Sequence, residues 1–230
     1  MKAYKRIKKM AELADALAKT GDIVADVAAD HGYLAELLNR NDKFQVVYAT
    51  DISKKCLEKV KKLKIDFNLT KVVPVLGDGL SPLPQVDLAI IAGVGGLETI
   101  KMLTTQNKLE NGENKCNIFI LQPAQNVFEF RKWLFSKNIY VISDFLVEDA
   151  KKFYPIIAID VSKSQVNECS LFNLFCGRDN DLTSDEFRHF LIDAKEHFSY
   201  LENISREAIE KDEALREKYK IYNLVMKLLN

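Results

Sequence analysis

Ile23-Val24-Ala25-Asp26-Val27-Ala28-Ala29-Asp30-His31-Gly32-Tyr33-Leu34 is an apolar run interrupted by a single acid, then a short polar turn, then the first residues of an amphipathic stretch. A run of that kind feeding a helical period is the pattern of a buried parallel strand leading into a covering helix. The unit recurs along the chain. Apolar runs stand at 23–27, 46–50, 72–76, 86–91, 118–121, 140–147 and 156–161, with helical spacing at 33–39, 53–64, 97–104 and 127–136. This alternation predicts an α/β fold with a doubly wound sheet of seven strands. Only the polar stretch 148–152 separates the last two runs, so they are predicted to form an antiparallel hairpin, with one antiparallel strand at the edge of a parallel sheet.

The chain has 230 residues, 47% of them hydrophobic and 29% charged, a composition that excludes a disordered polypeptide. Its 33 basic and 33 acidic residues cancel, so no overall positive field advertises nucleic acid. The balance hides a gradient. Residues 1–20 carry net +4, residues 21–177 net −1 and residues 178–230 net −3. No run approaches the roughly 18 apolar residues of a membrane helix, and the basic N-terminus lacks the apolar centre of a signal peptide. A cytoplasmic monomer with no membrane partner is expected. Cys56, Cys116, Cys169 and Cys176 form no C-x-x-C pair and only three histidines are present, so no metal site is expected and the thiols read as reduced core residues.

Ile7, Met10, Ala11, Ala14 and Leu17 predict an amphipathic helix before the first strand. After Gly177 the period changes: Thr183 and Glu186 read as a capping box, followed by Phe187, Phe190, Leu191, Ala194, Phe198, Leu201 and Ile204 at helical spacing. A second run carries Leu215, Tyr219, Tyr222, Val225, Leu228 and Leu229, so the pair predicts a helical hairpin bending near 209–213. A boundary between 161 and 177 divides the chain into a catalytic domain, 1–165, and a connecting segment with hairpin, 166–230.

Chemistry in such a sheet belongs at the C-terminal ends of its parallel strands. There the sequence places Asp26 and Asp30-His31 after the first strand, Asp51 after the second, Gly77-Asp78-Gly79-Leu80 after the third, and Ala92-Gly93-Val94-Gly95-Gly96 after the fourth. Taken singly, each acid reads equally as a helix cap, and the glycines as a turn. Together they suggest a nucleoside site, with Asp51 accepting from ribose hydroxyls. The G-x-G-x-x-G of a dinucleotide site is missing, because Ala28 and Ala29 occupy the first turn, and a pyrophosphate would meet Asp26 and Asp30. A cationic nucleoside fits better. S-adenosylmethionine carries ribose, adenine, a sulfonium and an ammonium without phosphate, so methyl transfer from that cofactor is the favoured reading and a nicotinamide-dependent oxidoreductase the competitor.

The combination Asp30-His31-x-Tyr33-Leu34, Gly77-Asp78-Gly79-Leu80, Ala92-Gly93-x-Gly95-Gly96 and Leu121-Gln122-Pro123 resembles the bacterial tRNA (adenine-N1)-methyltransferase family TrmK. The resemblance runs from about Lys5 to about Gly177. It implies a Rossmann-like class I methyltransferase domain followed by a helical hairpin, and methylation of N1 of adenosine 22 in the tRNA D-arm. With that reaction in view, Asp26, Asp30, His31, Asp51, Ile52, Gly77, Asp78, Gly79, Ala92 and Gly93 are expected around the cofactor, Ile52 beside the adenine, and Asp30 as the catalytic carboxylate. An N1 atom inside a duplex is inaccessible, so the base must be extruded. Gly95, Gly96, Gln122 and Pro123 are the expected walls for it, with Arg6 among the N-terminal cations Lys2, Lys5, Lys8 and Lys9 for phosphate. The chain departs from the family pattern at Ala28, Gly32, Val94 and Ala124, where glycine, alanine, methionine and asparagine are usual. Ala28 and Ala124 keep a third reading open, a non-catalytic RNA-binding scaffold.

Overall fold

Val24, Ala25 and Val27 are buried at the middle of the sheet, in β1 (Asp22–Val27). The computed structural model describes residues 4–109, 112–166 and 168–230, so the expectation for Lys2 lies outside the described residues. The further strands are β2 (Phe44–Asp51), β3 (Val72–Leu76), β4 (Leu88–Val94), β5 (Ile118–Pro123), β6 (Ile139–Asp149) and β7 (Lys152–Ser164). They lie in the order β3-β2-β1-β4-β5-β7-β6. The first five run parallel, and the chain reverses its winding direction beside β1.

Two apolar layers sandwich the sheet. On one face Met10 and Ala14 of α1 (Lys5–Leu17), Leu34 and Leu38 of α2 (Tyr33–Asn39), and Val60 and Leu63 of α3 (Lys54–Asp66) pack together. On the other, Phe130 and Leu134 of α5 (Val127–Ser136) join Met102 and Leu103, from a π-helical turn that continues α4 (Gly96–Lys101). Each helix presents the stripe that its spacing predicts.

The antiparallel strand is not at the edge. β7 lies between β5 and β6, antiparallel to both, and β6 is the outer strand. Burial explains the order. Pro155 to Ile159 are covered without a break, whereas β6 alternates buried and half-buried residues, as an outer strand does. The hairpin is also longer than its apolar runs, because its loop shrinks to Ala150 and Lys151, both left-handed at φ 52° and 62°.

Beyond β7 the chain forms α6 (Leu171–Cys176), α7 (Asp185–Phe198), a 3-10 turn, α8 (Arg206–Lys211) and α9 (Glu213–Leu229). Phe187, Leu191, Ala194 and Phe198 meet Ile221, Tyr222 and Val225 in a third cluster. The predicted bend falls at Asp212, which caps α9 by accepting from Leu215 N at 3.1 Å. The predicted capping box is absent: Ser184, not Thr183, caps α7, and Glu186 accepts from Glu148 N on β6. Asp144 N and Leu146 N donate to Asp179 and Asn180 at 2.9 and 2.8 Å. Side chains of the connecting segment thus close alternate donors of the edge strand, which blocks pairing with another chain. The cysteine reading also needs correction. Cys116 and Cys176 are buried, with thiols pushed up to about 12 by burial, but Cys169 is exposed and Cys56 is half-exposed.

Arg131 joins these parts. It is 1% exposed, clasps Asp144 through two bonds of 2.8 and 2.7 Å, and donates to Leu174 O and Phe175 O. One guanidinium therefore links α5, β6 and α6. Removing one partner of a buried pair leaves the other charge uncompensated. Arg131→Met should lower unfolding stability by about 3–5 kcal/mol, measured by denaturant titration; a loss under about 1 kcal/mol would show that the pair does not hold the hairpin to the sheet.

Candidate functional site

The left-handed winding of one loop shapes the site. Between β1 and α2, Ala28 and Asp30 adopt φ of 60° and 45°, and Gly32 adopts 74°. A left-handed alanine there costs about 1 kcal/mol relative to glycine. Two strand-end carboxylates hold the loop. Asp26 accepts from Ala35 N in the first turn of α2 at 3.1 Å, and Asp51 accepts from Asp30 N at 3.1 Å and Ser53 N at 2.8 Å. Asp26 thus acts as a helix cap and also faces the cavity. Asp51 does not cap α3; Ser53 does.

Above these strand ends opens a cavity of about 780 Å³. Its acidic side carries Asp26, Asp30, His31 and Asp51, with Ala92, Gly93 and Gln122 along the adjoining strand ends. Asp26 is 3% exposed and Asp51 8%. Burial, with Asp51 adding like charge, pushes the Asp26 carboxyl up to about 7, although the Ala35 N–H opposes the shift. The folded protein therefore holds this proton more tightly than the unfolded chain. The resulting stability is complete below the ordinary value of 3.8 and is lost as pH rises through 7. A bound cation reverses the preference, because it favours the carboxylate.

Asp30 is different. Its side chain is 61% exposed, with Lys59 Nζ at 3.2 Å, His31 Nε2 at 3.4 Å and the Cys56 thiol at 3.5 Å. It caps no helix. His31 stacks on Tyr33 with ring centroids 5.4 Å apart.

Eight expected residues line the cavity: Arg6, Asp26, Asp30, His31, Asp51, Ala92, Gly93 and Gln122. Ile52, Gly77, Asp78, Gly79, Gly95, Gly96 and Pro123 are not in its wall. Ile52 is exposed beside Asp51, and Gly77 N donates to Asp51 O at 3.1 Å, so the third strand end flanks the site. Three of the glycines answer to packing, Gly77 because a Cβ there would meet Pro82 Cγ at 2.6 Å. A Cβ on Gly96 would meet Asn126 O at 2.5 Å, and one on Gly79 would overlap the Gln106 amide, which accepts from Leu80 N at 2.8 Å.

The sequence reading missed the opposite wall, made by Tyr4, Ala150, Lys152 and Tyr154. Arg6 reaches it from α1, its guanidinium 4.4 Å from the Tyr154 ring centroid and 3.8 Å from Asp149. The N-terminal charge is partly spent inside the fold, with Lys5 paired to Glu186 and Lys9 to Glu12. Among the described residues no cluster of His, Cys, Asp and Glu could hold a metal ion, and no helix is long and apolar enough to cross a membrane.

A carboxylate-walled cavity whose loop N–H groups already bond protein acceptors suits a cationic nucleoside better than a pyrophosphate. Relatives agree with that chemistry. A protein of Mycoplasma genitalium provisionally named a tRNA methyltransferase is 30% identical over 164 residues, covering 69% of this chain and 70% of its own. The tRNA (adenine(22)-N(1))-methyltransferase of Bacillus subtilis is 26% identical over 163 residues, 70% of this chain and 66% of that one. The structure of M. capricolum TrmK in complex with S-adenosyl-homocysteine superposes with a TM-score of 0.74 at 21% identity, over 96% of this chain and 98% of that one, which establishes the shared fold. The profile described as a methyltransferase domain matches residues 4–157, more than half of the chain, and the chain belongs to that methyltransferase family.

Proposed function

We propose that the chain transfers a methyl group from S-adenosyl-L-methionine to N1 of adenosine 22 in the D-arm of tRNA, in the cytoplasm. The observation that carries the reading is the pair of buried acids, Asp26 and Asp51, at neighbouring strand ends below a loop with no phosphate cradle. Asp51 keeps lone pairs for the ribose after serving two N–H groups, and Asp26 offers its charge to the ammonium. Ile52, Gly77, Asp78 and Gly79, on the flanking strand ends, complete the adenine side. On this reading the cofactor belongs to residues 1–165, and residues 166–230 are a connecting segment and helical hairpin packed on that domain.

The bound cofactor supplies a methyl group already activated on a sulfonium. The protein's task is alignment and charge. N1 of the extruded adenine attacks the methyl carbon in line, the C–S bond breaks with its electron pair going to sulfur, and the product ring is cationic until a proton leaves its amino group. Asp30, beside His31 and Lys59 at the cavity rim, stabilises that developing charge and passes the proton to solvent. Gln122, buried at the end of β5, together with Pro123, Gly95 and Gly96, borders the acceptor's path. The competing nicotinamide reading shares the sheet and the acid ending β2 but lacks the glycine-rich turn that would hold its pyrophosphate. The deciding assay is methyl transfer from labelled cofactor to unmodified tRNA followed by nucleoside analysis: N1-methyladenosine at position 22 is expected, and label on another nucleoside, or none, refutes the assignment.

Two further outcomes follow from the acids. Asp30→Asn should bind cofactor within about tenfold of the parent and lose about a hundredfold in turnover; near-parental turnover removes Asp30 from the chemistry. Because the cationic cofactor selects the ionised form of Asp26, its apparent affinity should fall by about tenfold between pH 8 and pH 6. Asp26→Asn should flatten that profile in a calorimetric titration, and a flat parental profile contradicts the pairing.

A further inference from the structure

We infer that Tyr4, Arg6, Lys152 and Tyr154 form the acceptor subsite of the cavity, a stacked aromatic and cationic wall that receives the extruded purine together with its phosphate. The inference rests on the methyl-transfer reading and specifies where the second substrate lies.

The first observation is the separation of charge across one cavity. Its carboxylates stand at the ends of β1 and β2, and on the far wall Lys152, unpaired among the described residues, stands beside Arg6, whose charge Asp149 shares at 3.8 Å. A sulfonium and an ammonium are drawn to the first wall and repelled from the second; a nucleotide phosphate experiences the reverse. One cavity thus sorts a cationic donor from an anionic acceptor.

The second observation is how the far wall is built. The tight turn at Ala150 and Lys151 brings Lys152 and Tyr154, two residues apart and on one face of β7, over the cavity. Arg6 lies 4.4 Å from the Tyr154 centroid and 5.2 Å from that of Tyr4. Asp149 holds it in place, accepting from Arg6 N at 3.2 Å and facing its guanidinium at 3.8 Å. Three flat groups are therefore gathered at a cavity wall, the surface on which an unstacked base is recognised. The Lys152 ammonium has no ion-pair partner among the described residues, unlike Lys5 and Lys9. An unpaired ammonium at the rim of such a wall is suited to a phosphate.

The test compares Tyr154→Leu, Tyr154→Phe and Lys152→Gln with the parent in three readouts: kcat/KM for unmodified tRNA, calorimetric binding of S-adenosylhomocysteine, and binding of adenosine 5′-monophosphate to the S-adenosylhomocysteine-loaded protein. Tyr154→Leu should lower kcat/KM by about tenfold or more through lost stacking, and Tyr154→Phe should restore it. Lys152→Gln should lower kcat/KM and reduce the salt slope by about one phosphate contact. S-adenosylhomocysteine affinity should stay parental in all three, which also reports that the variants are folded. Parental kcat/KM in folded Tyr154→Leu overturns the subsite. If the parent binds S-adenosylhomocysteine yet methylates no tRNA, the functional reading fails separately; weaker mononucleotide binding by the Leu and Gln variants then still supports the subsite, and unchanged binding overturns it.

Discussion

Two carboxylates holding one loop are the interaction on which the site depends. In phosphate-binding α/β folds, the N–H groups after the first strand point at the ligand and the loop offers partial positive charge. Here Asp26 takes Ala35 N, Asp51 takes Asp30 N and Ser53 N, and Gly32 N goes to Ala29 O. These donors are spent within the protein and are not free to meet a pyrophosphate. What the loop shows the cavity is a set of acids, one of them a buried acid that retains its proton near neutrality until a cation draws it to the carboxylate. The same topology therefore selects a cationic nucleoside without any change in strand order.

That constraint organises the rest of the molecule. Because β7 is inserted beside β5, its turn with β6 rises on the same edge of the sheet as the parallel strand ends, and the far wall of the cavity sets Lys152 and Tyr154, over a hundred positions beyond Asp26, against Tyr4 and Arg6 of the N-terminal segment. Arg6 closes the arrangement by bonding to the hairpin at Asp149. Lys5, next to it, pairs with Glu186 of α7, so α1 bridges the cavity and the C-terminal helices. Arg131 fastens those helices from the opposite face. The hairpin is tied into the methyltransferase fold at two ends, through charges that the global balance of the sequence conceals.

Legibility in the sequence followed the range of the interactions. The strands, their covering helices and the acids at strand ends were readable because each depends on a few neighbouring residues. Asp26 and Asp51 stand where the run-turn-helix pattern places them. Three kinds of feature were not readable. The position of β7 depends on which of two apolar runs is covered on both faces, and that is decided by β5 and the helices. Glu186 has the spacing of a capping partner, but the open edge of β6 competes for it and wins. Gly79 and Gly96 carry a glycine signal that the close approach of Gln106 and Asn126 already requires, which no local pattern shows. Tyr4, Lys152 and Tyr154 had no local signature, since an aromatic beside a lysine on a hairpin acquires meaning only when the opposite strand ends are acidic.

The central claim is that the acidic side of this cavity, at the ends of β1 and β2, takes a cationic nucleoside rather than one carrying a pyrophosphate. Parallel calorimetric titrations of the intact protein with S-adenosylmethionine and with NAD at pH 8, where Asp26 is ionised, test it most directly. Saturable one-to-one binding of S-adenosylmethionine, with NAD binding far more weakly, is the predicted result. Saturable NAD binding with none of S-adenosylmethionine would contradict it.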